Sequence, residues 1–406
     1  MSLYPTEIDI ADVPDASPAD LTWHDRKRYA WMFGLLVPTI PFGAGALYAL
    51  TDLGISFWYG PIIIFIIFPF ADTIAGLDGS NPPDSLIEWL ENDRYYRSLT
   101  YLFLPLQYAS LVWACWVWST WEISTADKIG LAFTVAMVSG VAIAVAHELG
   151  HKKPKLERWL AKIALAQTWY GHFFIEHNRG HHVRVSTPED PASARMGESF
   201  WMFLPRTVIG SLRSAWRLEN TRFERLGRSR WTINNDILNA WLMSLVLFGG
   251  LTAIFGWVVL PYLVIQGVVG FCLLEVVNYI EHYGLLRQHA DGDRYERCRA
   301  AHSWNSNNQW SNVFLYHLQR HSDHHANPTR RYQALLHIDE APQLPSGYAT
   351  MIVLALCSPV WRAVMDKRLV AHYRGDVLLA NIQPRARRRV LKRWGDGGPA
   401  RAERAA

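Results

Sequence analysis

Residues 145–182 read VAHELGHKKPKLERWLAKIALAQTWYGHFFIEHNRGHH, and this stretch begins at the end of a long apolar run and holds six histidines. Five of them fall in two clusters, one at His147 and His151 and the other at His177, His181 and His182. Residues three or four apart stand on one face of a helix, close enough to share a metal ion. A later cluster repeats this spacing at His321, His324 and His325. Three such clusters in a chain with 16 histidines predict a metal site.

Apolar runs on both sides of this stretch indicate a membrane protein. Half of the 406 residues are hydrophobic, and a helix that spans a bilayer needs about 20 mostly apolar residues. Six runs meet this requirement: 29–50, 53–75, 100–120, 129–146, 237–258 and 259–280. We therefore predict an all-α fold, a polytopic membrane bundle of six transmembrane helices with a cytoplasmic helical cap that carries the metal site.

The predicted organisation has three parts. Residues 1–28 form a polar N-terminal lead, and residues 29–286 form the six-span bundle with a cytoplasmic insertion at 149–236. Residues 287–406 form a cytoplasmic C-terminal region that completes the metal site.

Basic residues predict the orientation. Of the 40 lysines and arginines, all but Lys128 fall in the N-terminal lead or after an even-numbered run. Because cytoplasmic loops carry an excess of Lys and Arg, both termini and the metal site are predicted to be cytoplasmic. The basic face suits anionic membrane lipid or an acidic protein partner, and we expect no nucleic acid partner. The four cysteines include no CxxC pair, which argues against a zinc ribbon or a rubredoxin-type iron site within this chain.

The number of histidines predicts two metal ions. His282 ends the sixth run and brings the set to nine imidazoles, more than one metal can coordinate. Imidazole suits iron, zinc, copper or nickel, so the ligand type alone leaves the metal open. Nearby carboxylates should hold ring N–H groups and offset the positive charge; those predicted are Asp190, Glu281 and Asp323. Two further histidines near the clusters, His172 and His317, are left outside the ligand set.

The same histidines fit two other classes of protein, a zinc peptidase and a metal-binding or transport protein. His147, Glu148 and His151 also spell HExxH, the signature of zinc peptidases, which would make the chain an intramembrane protease. That reading leaves six clustered histidines without a role, and the Leu77-Asp78-Gly79 companion stands before HExxH rather than after it. The other reading is a non-catalytic metal-binding or transport protein, for which no oxygen-dependent product is expected.

Four motifs together resemble the membrane alkane monooxygenases, of the membrane fatty acid desaturase and hydroxylase superfamily. They are HELGH at 147–151, EHNRGHH at 176–182, NYIEHYG at 278–284 and LQRHSDHH at 318–325. The histidine clusters alone indicate only the superfamily. The last two motifs are shared mainly with the alkane and xylene monooxygenases. The resemblance extends from about Lys27 to Asp366 and includes Asn81-Pro82-Pro83 and Asp190-Pro191-Ala192.

The resemblance implies a non-haem di-iron alkane 1-monooxygenase of the bacterial inner membrane. Such an enzyme binds two Fe ions, uses O₂, and receives electrons from rubredoxin, with rubredoxin reductase and NAD(P)H upstream. It converts the terminal methyl of medium- to long-chain n-alkanes to a 1-alkanol. The expected substrate channel is lined by the second run, at Ile62, Ile64, Phe65 and Phe68. A xylene-type methyl hydroxylase and a fatty-acyl desaturase or hydroxylase stay open as alternatives.

Overall fold

A computed structural model of the protein describes residues 13–395 except 291 and 293; the remainder of the predicted N-terminal lead and C-terminal region lies outside these residues. The described residues form helices and no β-strand, which confirms the predicted all-α class. Six helices are long and apolar enough to cross a membrane, as predicted. They are Ala30–Thr51, Gly54–Ala75, Arg94–Thr120, Thr125–Gly150, Asp236–Phe255 and Trp257–His282, and we number them as spans one to six.

Polar caps explain why spans three and four begin before the apolar runs do. The Asp93 side chain accepts a hydrogen bond from the backbone N–H of Tyr95 and starts the third span. Ser124 and Asp127 form a reciprocal capping box at the start of the fourth. Such caps satisfy backbone N–H groups that have no partner inside the helix.

The fourth span is the centre of the bundle, because 83% of the residues in its most apolar 18-residue stretch are buried. Small residues let the sixth span approach it closely, as is usual between membrane helices. At Gly140 an added Cβ would lie 2.7 Å from a Leu273 methyl carbon of the sixth span. The two spans therefore run side by side and deliver His147 and His282 to the same end of the bundle.

Shorter helices cover that end of the bundle. Lys155–Ala166 packs along the fourth span, and Tyr348–Leu356 packs along the sixth. The other described α-helices outside the spans are Pro18–Leu21, Ile87–Asn92, Phe173–Glu176, His182–Arg184, Phe200–Arg225, Gln309–Phe314, His321–Ala326, Ser358–His372 and Arg387–Trp394.

Arg320 joins the last histidine cluster to the connection between the second and third spans. Its buried guanidinium donates to the carbonyls of Leu335 at 2.6 Å, Ser80 at 3.0 Å and Asp78 at 3.1 Å. In the same connection, the Asn81 amide exchanges hydrogen bonds with the backbone of His337 at 2.7 and 2.9 Å. These bonds hold the chain around His321 in one position against the bundle.

Candidate metal centre

All nine predicted histidines converge in two groups, in each of which the ligand atoms lie within 4.8 Å of one another. The five-histidine cluster contains His147, His151, His177, His182 and His324. The four-histidine cluster contains His181, His282, His321 and His325. Every ring of the four-histidine cluster is buried, whereas His151 and His182 of the other cluster are half-buried.

A π-helical turn at His177–His181 divides the second histidine motif between the two clusters. The backbone N–H of His182 bonds to the carbonyl of His177, five residues earlier. This wider turn brings residues five apart to the same side, and such turns are frequent at functional sites. His177 and His182 therefore share a cluster, while His181 enters the other. The sequence did not predict this division, because residues four apart, such as His177 and His181, share a face only in a regular α-helix.

The ring nitrogens are spaced as ligands of metal ions. Two nitrogens that each lie about 2.0–2.1 Å from one metal are separated by about 3.0–3.4 Å. His182 Nε2 lies 3.1 Å from the Nε2 atoms of His177 and His324. His321 Nε2 lies 3.0 Å from His325 Nε2 and 3.2 Å from His282 Nε2.

Charge and hydrogen bonding fit the same interpretation. Burial lowers the pKa of His177, His182 and His324, so these rings are neutral and keep a lone pair for a metal. Buried Nε2 atoms of His147 and His181 have no hydrogen-bond partner among the described residues. Unpaired buried nitrogens are costly unless something binds them. The two clusters therefore fit two metal ions.

Asp190 fixes one ring of the four-histidine cluster. Its Oδ2 lies 2.9 Å from His181 Nδ1 and accepts a hydrogen bond from the Ser193 hydroxyl at 2.6 Å. Burial alone would raise the pKa of Asp190, but His181 and Ser193 lower this pKa to about 2. The carboxylate is therefore ionised and orients His181 with Nε2 toward the cluster.

Glu281 lies on the metal side of the four-histidine cluster. Its Oε2 is 3.3 Å from His321 Nε2, the same nitrogen that faces His282 and His325. Its Oε1 accepts a hydrogen bond from the Tyr348 hydroxyl at 3.0 Å. The sequence predicted that Glu281 would accept a hydrogen bond from the ring N–H that points away from the cluster. Instead, Glu281 lies beside a ring nitrogen that points into the cluster. Glu281 has the position of an additional ligand.

Asp323, the third predicted carboxylate, serves the loop that follows it. It accepts hydrogen bonds from Arg330 at 2.8 Å, Asn327 at 2.9 Å and the backbone N–H of Leu336 at 2.9 Å. Two places after His321 on a helix, it faces away from the side that His321 and the next two histidines share. Asp323 is therefore not placed to orient a ring.

A backbone carbonyl faces one of the cluster rings, and the two histidines that the sequence analysis left out of the ligand set lie outside both clusters. His282 Nδ1 lies 3.1 Å from the carbonyl oxygen of His302, an orienting group that the sequence reading missed. His317 lies outside both clusters, with Nδ1 2.9 Å from the Tyr332 carbonyl. His172 also lies outside them, against the ring of Tyr170.

An apolar cavity between the spans ends at both clusters, where His147, His177, Glu281 and His321 line it. Two of the four predicted channel residues, Ile64 and Phe68, line this cavity, whereas Ile62 and Phe65 are not among its lining residues. The second span winds into a π-helical turn at Ile63–Ile67, which includes Ile64.

Lining residues of the fourth and sixth spans were missed by the sequence reading. They include Gly140, Ile143 and Ala144 before His147, and Leu274, Val277 and Asn278 before Glu281. Steps of three or four residues back from a ligand stay on its helix face, so this periodicity could have identified them.

The zinc peptidase reading does not fit the position of Glu148. Its Oε1 lies 3.1 Å from Lys152 Nζ, which also donates to the Thr329 and Arg330 carbonyls. The general base of such an enzyme has to reach a metal-bound water. Here the glutamate is part of an ion pair, and both histidines of HExxH share their cluster with three others.

Comparisons with known proteins agree with this geometry. Residues 128–390 match the fatty acid desaturase family. The chain is 49% identical over 374 residues to an alkane 1-monooxygenase of Acinetobacter baylyi, covering 91% of this chain and 92% of that protein. It is 44% identical to an alkane 1-monooxygenase of Alcanivorax borkumensis, covering 95% of this chain and 96% of that protein.

A more distant relative bears on the xylene alternative. The hydroxylase component of a xylene/toluene monooxygenase from Pseudomonas putida is 27% identical over 321 residues, covering 77% of this chain and 84% of that protein. The alkane enzymes are thus the more similar group. The chain is an oxidoreductase that belongs to the membrane alkane 1-monooxygenases, within the fatty acid desaturase superfamily.

Proposed function

We propose that the protein hydroxylates the terminal methyl of medium- to long-chain n-alkanes to 1-alkanols, using O₂, two irons and electrons from rubredoxin. Rubredoxin reductase and NAD(P)H would lie upstream of the donor. One observation carries the proposal: the apolar cavity between the spans ends where residues of both histidine clusters line it. A lipid-soluble chain can enter such a cavity from the bilayer and present its end to both clusters.

The two clusters are the proposed iron sites. The five-histidine cluster would hold one ion, and the four-histidine cluster would hold the other with Glu281 as an additional oxygen ligand. When bound, two irons would supply the redox chemistry that activates O₂.

The chain itself supplies the positioning. Ile64, Phe68 and Leu274 line the cavity with aliphatic and aromatic surface, so a bound chain gains about 0.8 kcal/mol for each methylene taken out of water. His147 and His321 line the cavity where it meets the clusters, so the end of an extended chain that enters between the spans would be the part that reaches them. This arrangement favours the terminal methyl over internal carbons.

The proposed location is the bacterial inner membrane, with both termini and the metal site in the cytoplasm. The excess of Lys and Arg after even-numbered spans supports this orientation. Residues 149–236 and 287–406 would form the cytoplasmic cap, where a soluble electron donor can reach the metals.

Reconstitution of the purified protein tests the proposal. Rubredoxin, its reductase, NADH and a series of n-alkanes are supplied, and 1-alkanols carrying oxygen from isotopically labelled O₂ are the expected product. Metal analysis should find two irons per chain. Faster turnover of xylene, desaturation of a fatty-acyl substrate, or zinc in place of iron would reject the proposal.

The length of the cavity should set the longest alkane accepted. Ile64 is buried and lines the cavity, so Ile64→Trp should shorten the preferred chain. We expect kcat/KM to fall about fourfold for each methylene that no longer fits in the cavity. The matched control is Ile66→Trp on the same helix, because Ile66 is 64% exposed and lies outside the cavity lining. An unchanged chain-length profile for Ile64→Trp would contradict this role.

A further inference from the structure

The outward face of the helix Phe200–Arg225 changes character along its length. Its first half exposes apolar side chains, with Trp201 60% and Ile209 48% exposed, whereas its second half exposes Arg213 and Arg217. A helix that lies along the membrane interface, with one half against acyl chains and the other half among headgroups, has this pattern. The opposite face packs on the sixth span.

A groove lies between this helix and the fifth span, lined by Leu212, Arg213, Trp216, Arg217 and Trp241. The rings of Trp216 and Trp241 are nearly parallel, at 10° and 6.4 Å between centroids. Trp241 belongs to the second turn of the span Asp236–Phe255. The groove therefore lies at the depth of the membrane interface, where tryptophan is favoured.

The two arginines of the groove carry positive charge that no carboxylate offsets. Arg213 and Arg217 form no ion pair with any described residue, and they are four residues apart on one face. The nearby Glu219 is buried and already paired with Arg179 at 2.5 Å and Arg222 at 2.6 Å. Residues 212–235 contain six arginines and only two glutamates.

We propose that this groove binds the headgroup of an anionic phospholipid, with its phosphate between Arg213 and Arg217. The acyl chains would lie along Leu212 and Trp241 and continue over Leu245, which follows Trp241 by one turn and is 59% exposed. This apolar continuation on a membrane span is the reason to assign a lipid rather than an acidic protein, which would cover only the polar surface. Basic pockets between membrane helices recognise such headgroups.

Native mass spectrometry of the purified full-length protein tests the site, with phosphatidylglycerol and phosphatidylcholine as probes. The wild type should retain phosphatidylglycerol preferentially. The double variant Arg213→Gln/Arg217→Gln should weaken that binding by about thirtyfold, since each arginine near the surface contributes about 1 kcal/mol. Binding of phosphatidylcholine, whose choline cation offsets the charge of its phosphate, should be weaker in the wild type and should fall by less than that of phosphatidylglycerol in the variant.

The matched control is Arg385→Gln/Arg388→Gln, which removes the same charge at two exposed positions outside the groove. It should leave phosphatidylglycerol binding within about twofold of the wild type, well short of the loss in the groove variant. Equal losses in both double variants would show a general charge effect and overturn the assignment. If the groove variant kept its lipid but raised the KM for an acidic electron-donor protein, the groove would be a protein site and the assignment would also fail.

Discussion

The two histidine clusters differ in what surrounds their rings. Around the four-histidine cluster, Asp190 contacts His181, Glu281 contacts His321, and the His302 carbonyl lies beside His282 Nδ1. Among the described residues, the rings of the five-histidine cluster make hydrogen-bond contacts only with one another. It also contains the half-buried rings, those of His151 and His182.

The two candidate metal positions are therefore not equivalent. A dication beside Glu281 and an oriented ring gains attraction in a buried site, and carboxylates beside ligands raise metal affinity. A dication held by five neutral imidazoles has no such compensation and lies closer to solvent. We expect the four-histidine cluster to keep its metal longer, and the five-histidine cluster to exchange its metal first.

Removal of one ligand from each cluster should give the largest effect. His282→Ala and His182→Ala should each lower alkane hydroxylation by more than about 100-fold, because the loss of an outer-shell partner alone costs 10–100-fold. Metal content should fall from two ions toward one in both variants. The ion that remains in the His282 variant lies in the five-histidine cluster and should be lost rapidly to a chelator. The ion that remains in the His182 variant lies in the four-histidine cluster and should be lost slowly.

Identical chelation rates in these two variants would contradict the inequality of the sites. The matched control is His172→Ala, which removes a buried imidazole that lies outside both clusters. It should leave the metal content at the wild-type value.

Removal of the Glu281 charge should make the clusters more alike. In Glu281→Gln the Tyr348 hydroxyl can still donate to the amide oxygen, so the local packing is kept. We expect metal affinity at the four-histidine cluster to fall by about 10–100-fold. When metal loss to a chelator is followed over time, the wild type should show a slow phase from the four-histidine cluster. This slow phase should disappear in the variant.

Glu275→Gln provides the control for this variant on the same helix. Glu275 is also buried, but it accepts hydrogen bonds from Tyr170 at 2.6 Å and Asn278 at 3.2 Å and belongs to neither cluster. A slow phase that persists in the Glu281 variant, or that disappears equally in the Glu275 variant, would count against a ligand role for Glu281.

The spans could be predicted from the sequence because each carries an apolar run long enough to cross a bilayer. Their starting points could not, because the residues that begin a helix, such as Asp93 and Ser124, are polar and lie outside the runs. Tertiary contacts decided other parts of the fold: Arg320 binds carbonyls that precede it by more than two hundred residues.

The nine histidines could be predicted because residues three or four apart share a helix face. Their division into clusters depends on the π-helical turn at His177–His181, which the positions of the histidines in the sequence do not indicate. Proximity in sequence was also a poor guide for the carboxylates. Asp323 is adjacent to His324, yet its side chain binds Arg330, whereas Asp190 reaches His181 from nine residues away.

Substitution of Asp190 and Asp323 should give the smallest effects, and it tests selectively whether an oriented ring makes the four-histidine cluster the tighter site. Asp190→Asn keeps an oxygen beside His181 Nδ1 but removes the charge, so metal affinity of the four-histidine cluster should fall by about tenfold, the lower end for a partner of a ligand. Asp323→Asn removes an equally buried charge that binds Arg330 and should lower the free energy of unfolding by about 2 kcal/mol. Its metal affinity should stay at the wild-type value. Chelator titration and thermal unfolding of both variants measure the two quantities. If Asp323→Asn weakened metal binding as much as Asp190→Asn did, orientation of His181 would not explain the tighter site.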